Sequence, residues 1–342
     1  MKEVKVAMIG FGGIAKSHKK GYDILAAEGA NIRLVAICDI DPSRFTAGTV
    51  TNLGKEKAAN LEGINTYTDV DEMLEKEDFS MVDLCIPTYL HCEYAIKMMK
   101  AGKHVLSEKP MALNSADCEK MLAAAKEYNR VLMVGQCLRF EPAYLYLKKC
   151  VDEGTFGKLK NMRMHRMSAH PTWGFEQWYT KTEKSGGCIM DLHIHDVDMA
   201  RFILGEPASV SCLSYDGMTR WLDVNSRLFY PDQGVNVFID STFDQSDRIH
   251  FRCGCNARFE KANVIITGDD VEVFPDGAEP FKPDLKKANR MAEEIRKTAL
   301  LSVDPTETNE SNPPESARNT IRLIELLRES AAQNGAALSF KA

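Results

Sequence analysis

The chain has 342 residues, 44% hydrophobic and 27% charged, with a formal net charge of −6. That is more chain than one hydrophobic core usually holds, so two domains are expected, with the composition of an ordinary globular protein. The mild negative charge offers no basic field for nucleic acid and no polybasic patch for a membrane surface. No apolar run approaches the roughly 18 residues that a bilayer span needs.

Residues 1–13 run straight into a strand and a glycine turn, without the basic start, apolar stretch and small-residue cleavage site of a signal peptide. The ten cysteines include no CxxC pair, and several (Cys38, Cys85) fall in apolar strands, where a thiol acts as a small hydrophobe. Reduced thiols and a cytoplasmic protein are therefore expected. Cys253-Gly254-Cys255 reads as two strand cysteines interrupted by a glycine, with a redox or metal role as the alternative.

In the first 135 residues short β runs alternate with helical stretches. Strands are predicted at 4–9, 33–38, 81–86, 104–107 and 131–136. Amphipathic helices are predicted at 91–101 and 115–128, the second capped by Ser115 and stopped at Asn129. Short apolar runs bounded by turns are strands buried on both faces, and repeated βαβ units give a parallel, doubly wound sheet. The rhythm then changes. A helix at 142–153 stops at Gly154, and β-like stretches follow at 160–168, 208–215, 235–243, 249–255, 257–267 and 271–274. Val235, Val237 and Ile239 alternate with Asn236 and Asp240, which suits an antiparallel sheet with one face on the core. Helices at 284–301 and 315–333 close the chain, joined by a polar, proline-rich loop at 304–314.

Gly10-Phe11-Gly12-Gly13-Ile14-Ala15 lies between the first strand and a helix and fits GxGxxG/A. Gly10 permits the tight turn, Gly12 admits a pyrophosphate close to the backbone, and Ala15 lets helix and strand pack. The anion would sit on the free N–H groups of the helix start. The second strand ends in Asp39, 27 residues beyond Gly12, where a ribose-binding carboxylate belongs. It would accept from the ribose hydroxyls and repel a 2′-phosphate, so NAD is favoured over NADP, although Arg44 nearby is able to pair with a phosphate. The expected fold class is α/β: a Rossmann doubly wound parallel sheet at residues 1–137, followed at 138–342 by an α+β domain with a large, mostly antiparallel open sheet.

Ser107-Glu108-Lys109-Pro110 directly follows an apolar strand. Ligands of open α/β sheets bind beyond the carboxyl ends of strands, so Lys109 is expected at the rim where a nicotinamide would arrive, able to stabilise a forming alkoxide. Pro110 restricts the residue before it to extended conformations. The segment Gly186–Asp198 has apolar positions Ile189, Leu192, Met199, Ile203 and Leu204 at helical spacing. Asp191 and His195 then stand four residues apart on one face, an acid orienting an imidazole that acts as general base. The competing reading is a metal site using His193 and His195. It requires an extended segment, because residues i and i+2 of a helix point about 200° apart. On the helical reading no metal is expected.

Taken together, GFGGIA, Asp39, the run Cys85-Ile86-Pro87-Thr88-Tyr89-Leu90-His91, EKP and GG…DLHIHDVD resemble the glucose–fructose oxidoreductase / inositol dehydrogenase (Gfo/Idh/MocA) family over essentially the whole chain. The resemblance implies a catalytic set of Lys109, Asp191 and His195. It implies cofactor contacts from Gly10, Phe11, Gly12, Gly13, Ile14, Asp39, Ile40, Arg44, Ile86, Pro87, Thr88, His91, Glu108, Lys109 and Gln136. Many relatives have Asn where Thr88 stands. Substrate would meet Lys109, Arg139, Trp173, Asp191 and His195. The implied activity is NAD-dependent hydride transfer to or from a secondary hydroxyl of a sugar, glycoside or cyclitol, by a homodimer or homotetramer formed through the C-terminal sheet. Alternatives are a glycosidase that retains NAD and oxidises transiently, and a non-catalytic NAD-binding module. Trp173, Trp178 and Tyr179 suggest a stacking wall for a sugar ring, or ordinary core.

Overall fold

The computed structural model describes residues 2–51 and 54–341. From the amino end run β1 (Val4–Ile9), α1 (Gly13–Ala27), β2 (Ile32–Cys38), β3 (Thr49–Thr51), β4 (Gly54–Glu56), β5 (Asn65–Tyr67) and α2 (Val70–Lys76). Then come β6 (Met81–Leu84), α3 (His91–Lys100), β7 (His104–Glu108), α4 (Ser115–Glu127) and β8 (Leu132–Gly135). Six of these strands form one parallel sheet in the order β5-β2-β1-β6-β7-β8. The order reverses between β1 and β6, the switch point at which such sheets bind ligands. Val6, Ala7 and Met8 of β1 and Val105 and Leu106 of β7 are fully buried, as strands covered on both faces require.

The chain continues with α5 (Pro142–Asp152), β9 (Leu159–Met167), α6 (Thr182–Ser185), α7 (Cys188–Asp191), α8 (His193–Leu204), β10 (Ser209–Tyr215), β11 (Asp223–Tyr230) and β12 (Val235–Thr242). It ends with β13 (Arg252–Phe259), β14 (Ala262–Thr267), β15 (Asp270–Pro275), α9 (Arg290–Val303), α10 (Pro314–Ala332) and β16 (Leu338–Ser339). The second sheet has eight strands, ordered β15-β14-β13-β9-β12-β11-β10-β16, and only the β9–β12 pair is parallel. The mostly antiparallel sheet is as expected.

Two compact units result: residues 1–137 with 173–176 and 289–318, and residues 138–172 with 177–288 and 319–342. The expected single stretch 138–342 is therefore corrected, because α9 belongs to the first unit. Its Ala292, Ile295 and Ala299 share one core cluster with Val4, Tyr22 and Leu25. Gly21 of α1 makes the approach possible, since a Cβ there would stand 3.1 Å from the Ala292 nitrogen.

Other boundaries also move. The cap of α4 is Asn114, whose side chain accepts from the Asp117 N–H at 2.8 Å, rather than Ser115. Asn129 follows with φ +50°, the left-handed position that ends such helices. The last-but-one helix begins six residues later than predicted, behind the Asn289 cap. The predicted break between residues 255 and 257 is absent, and β13 runs through it. Gly254 lies where a Cβ would come 2.4 Å from the Ile266 carbonyl oxygen, so the glycine between the two cysteines serves sheet packing. All ten cysteines are free thiols. Among the described residues no helix is long and apolar enough to cross a membrane.

Candidate active site

The glycine turn leaves β1 at the switch point. Gly10 has φ +87°, and a Cβ there would fall 2.4 Å from the Cys85 carbonyl oxygen at the end of β6. Only glycine lets these two strand ends close together. Gly12 is the N-cap of α1 and offers no side-chain cap, and a Cβ built on it meets nothing within 4 Å. The helix start thus presents N–H groups over an open surface, the geometry that takes a pyrophosphate. Asp39 closes the loop from β2: its Oδ2 accepts from the Phe11 N–H at 2.6 Å and its Oδ1 from the Asp41 N–H at 2.9 Å. Ile40, next to it, is 66% exposed, which suits a flat apolar ligand. Arg44 pairs with Asp41 at 3.3 Å. Phe11 and Ala15 are buried, while Gly13 and Ile14 are half-buried on the first turn. A Cβ on Gly13 would crowd the Thr51 methyl at 2.6 Å.

The other cofactor candidates lie on the same carboxyl edge. Cys85 to Leu90 follows β6, Glu108–Pro110 follows β7, and Gln136 follows β8. Gln136 is 2% exposed, and its Nε2 has no hydrogen-bond partner among the described residues. A buried amide donor left open at this edge fits an incoming carboxamide, which completes the fit of this unit to a dinucleotide. His91 is placed differently from a ligand contact. It is 1% exposed, with Nδ1 2.7 Å from the Pro110 carbonyl oxygen and Nε2 2.9 Å from that of Ile86. It braces the two loops, and burial holds its pKa below the ordinary value. Thr88 is buried too. Glu108 is 5% exposed and both its oxygens are engaged, Oε1 with His18 Nε2 at 2.9 Å and Oε2 by the Lys109 N–H at 3.0 Å. The Lys109–Pro110 peptide is cis.

In the second unit, Gly186 and Gly187 both have positive φ, and a Cβ on Gly187 would meet the Arg220 carbonyl oxygen at 2.2 Å. This turn starts α7, and α8 follows after a one-residue interruption at Leu192. The expected helix is therefore present but broken, with Asp191 closing its first piece and His195 in the first turn of its second. Both are half-buried. His193 points elsewhere: it is fully buried, with Nδ1 2.9 Å from Ser241 Oγ and Nε2 2.7 Å from Ser226 Oγ. Burial pushes its pKa down to about 3. The two histidines thus diverge as helix geometry demands, and the extended metal-binding alternative lapses.

Two buried ion pairs anchor α8. Arg166 of β9 holds Asp196 at 3.0 Å, and Arg139 holds Asp198 through Nε at 2.8 Å and Nη2 at 2.7 Å. Arg139, expected at the substrate, is 3% exposed and braces the helix that carries His195. Trp173 falls in the short stretch grouped with the first unit. Trp178 is 8% exposed and stacks on Tyr179 at 4.0 Å between ring centroids.

Residues 4–136 match the model of the Gfo/Idh/MocA oxidoreductase family's NAD-binding Rossmann fold, and residues 144–271 match its C-terminal domain. The chain belongs to the Gfo/Idh/MocA oxidoreductase family. Among family relatives, myo-inositol 2-dehydrogenase of Thermotoga maritima is 33% identical over 59% of this chain and 55% of its own length. 2,7-Anhydro-N-acetylneuraminate hydratase of Mediterraneibacter gnavus is 31% identical over 78% of this chain and 66% of its own length. The chain thus spans just over half to about two thirds of the curated relatives it matches. The crystal structure of aldose-aldose oxidoreductase from Caulobacter crescentus shares the fold, with a TM-score of 0.82 at 21% identity, covering 99% of this chain and 100% of that one. The N-terminal sheet is accordingly the family's NAD-binding Rossmann fold.

Proposed function

We propose that this protein is a dehydrogenase that moves a hydride between NAD and a secondary hydroxyl of a sugar, glycoside or cyclitol. One observation carries the reading. Lys109 follows β7 on the same carboxyl edge as the open glycine turn after β1, with only β6 between the two strands. An ammonium in that place is suited to hydrogen-bond the oxygen that becomes an alkoxide. When bound, the nicotinamide supplies the hydride acceptor or donor. His195 takes the hydroxyl proton, and Asp191 holds the tautomer that leaves an imidazole nitrogen free to accept it. Asp39 selects NAD over NADP by its charge. Trp173 contributes to the substrate surface, and Arg139 acts from behind through Asp198 on the helix of His195.

A homodimer or homotetramer through the second sheet completes the reading. The strand face turned away from α8 carries Phe238, Phe229, Arg163 and Arg227, with the Arg163 guanidinium 4.4 Å from the centre of the Phe238 ring. Such aromatic and arginine residues are typical of interfaces. Light scattering of the purified protein reads the stoichiometry.

Incubation with NAD and a panel of cyclitols, aldoses and glucosides is expected to raise reduced-nicotinamide absorbance. Lys109→Ala and His195→Ala should each lower kcat/KM by about 10²-fold or more. The M. gnavus relative is named a hydratase, which favours one second reading, transient oxidation with the cofactor restored each turn. It predicts NAD co-purifying with the protein and product release without net reduction. A non-catalytic module would leave both variants indistinguishable from the parent.

A further inference from the structure

Behind the EKP turn lies a cluster of ionisable groups that the proposed chemistry does not use. His18, on the buried face of α1, is 0% exposed. Its Nδ1 lies 2.9 Å from Asp83 Oδ2 on β6 and its Nε2 2.9 Å from Glu108 Oε1 on β7. Tyr22, one turn further along α1, donates its hydroxyl to the same Asp83 oxygen at 3.0 Å, and Cys85 Sγ lies 3.6 Å from Asp83 Oδ1. From α9 comes Glu294, also 0% exposed, whose carboxyl has no hydrogen-bond partner among the described residues. One ligand-type atom each of His18, Glu108 and Glu294 lies within 4.8 Å of the others.

Both neighbours of the His18 ring are carboxylates, and carboxylates only accept, so each ring nitrogen must donate. A ring with two N–H groups is an imidazolium. We propose that His18, as a cation bridging Asp83 and Glu108, is a positioning residue that holds the Glu108 carboxylate against the Lys109 backbone N–H and so sets where the Lys109 side chain starts. The inference rests on the catalytic reading of Lys109. The electrostatics agree. Burial alone would lower the His18 pKa, but the Asp83 carboxylate overrides it and the pKa stands well above the usual value. Burial raises that of Glu294, with the Glu108 and Asp83 carboxylates adding to the rise against His18 and Arg290. Glu294 is then a neutral acid, and the cluster holds one cation against two anions. Gly135 completes the arrangement, since a Cβ there would press on the Glu108 carboxyl group at 3.4 Å.

The test uses the full chain and two replacements. His18→Gln keeps an amide donor near the place of Nε2, facing Glu108, whereas His18→Asn keeps one only near the place of Nδ1, facing Asp83. In the parent at pH 7.5, nitrogen NMR should show both His18 ring nitrogens protonated, and neither added Zn²⁺ nor a chelator should alter them. Exchange of the Lys109 amide hydrogen should quicken at least ten-fold in His18→Asn and less than three-fold in His18→Gln, while amides of β2 stay unchanged in both. Turnover with an accepted substrate should follow the same order at unaltered NADH affinity. A neutral His18 ring, a zinc-dependent spectrum, or equal Lys109 protection in parent and both variants would overturn the proposal. If no substrate is turned over even by the parent, the dehydrogenase reading fails, and the ring and amide signals still decide the role of His18.

Discussion

At the scale of single residues, the three glycines of the turn after β1 meet different demands, and substitution should separate them. Gly10 combines a left-handed φ with a virtual Cβ 2.4 Å from a carbonyl oxygen. Gly10→Ala should lower stability by about 2 kcal/mol or more, read as a fall in Tm, before any ligand is added. Gly12 has φ −78° and open space around it. Gly12→Ala should leave Tm unchanged and weaken NADH binding at least ten-fold, measured by fluorescence titration. The motif names both glycines, but it does not tell the strained one from the one kept bare for a ligand. That distinction needs β6, whose Cys85 carbonyl supplies the clash. The buried pair Arg166–Asp196 allows a second test. Arg166→Met strands a carboxylate in the core and should cost about 3–5 kcal/mol, while the double change Arg166→Met with Asp196→Leu should recover most of it.

At the scale of elements, helix starts are decided by hydrogen bonds one residue wide. Asn114 and Asn289 each accept from the N–H three residues on, at 2.8 and 3.0 Å. Asn114→Ala and Asn289→Ala should each cost about 1 kcal/mol in denaturant unfolding, and Ser115→Ala a few tenths at most. Sequence pattern finds such helices readily, yet Asn and Ser are both good caps and sit side by side before α4. Two strands escape the pattern for different reasons. β5 (Asn65–Tyr67) is a short edge strand with no buried residue. β11 does alternate, burying Val224, Leu228 and Tyr230, but its fourth inward residue is Ser226. That serine faces the core because it bonds His193, so a polar residue sits where the pattern asks for an apolar one. The catalytic-motif helix was legible as a helix from Ile189, Leu192, Met199, Ile203 and Leu204, all of which are buried. Its interruption at Leu192 was not.

At the scale of the whole molecule, the first unit takes part of its core from far along the chain. Ile295 is fully buried there, a side chain whose burial contributes roughly 1.5–3 kcal/mol. A fragment of residues 1–137 should therefore lack a cooperative thermal transition, seen by circular dichroism, because Tyr22, Leu25 and the His18 cluster lose the cover of α9. Buried histidines shape the pH response. The His193 pKa is pushed down to about 3, so between there and the ordinary value near 6.5 the unfolded chain binds the extra proton. Its contribution to stability is lost as pH falls through that window, at up to about 1.4 kcal/mol per pH unit. His18 works in the other direction: its raised pKa gives a contribution present below about pH 6.5 and lost as pH rises through the folded-state value. His193→Gln should flatten the fall in Tm between pH 6.5 and 5, and an unchanged slope would remove His193 from that account.

What the sequence by itself determined was everything carried by local periodicity and short motifs. This covers the parallel βα repeat, the glycine turn with Asp39 on the next strand, the EKP turn at a strand end, the helical spacing of Asp191 and His195, and the change to a mostly antiparallel sheet. Each is written within a few residues, because backbone dihedrals and side-chain alternation are local properties. Only the tertiary structure decided that α9 returns to the first unit, that His91 and Arg139 are braces held by buried partners, and that Glu108 faces His18. One sequence signal did point inward: Asp83 stands in the apolar run Met81-Val82-Asp83-Leu84, where a carboxylate needs a partner. Its partners come from α1 and, through the shared cluster, β7 and α9, and burial and ion pairing between such distant segments exist only once the chain has folded.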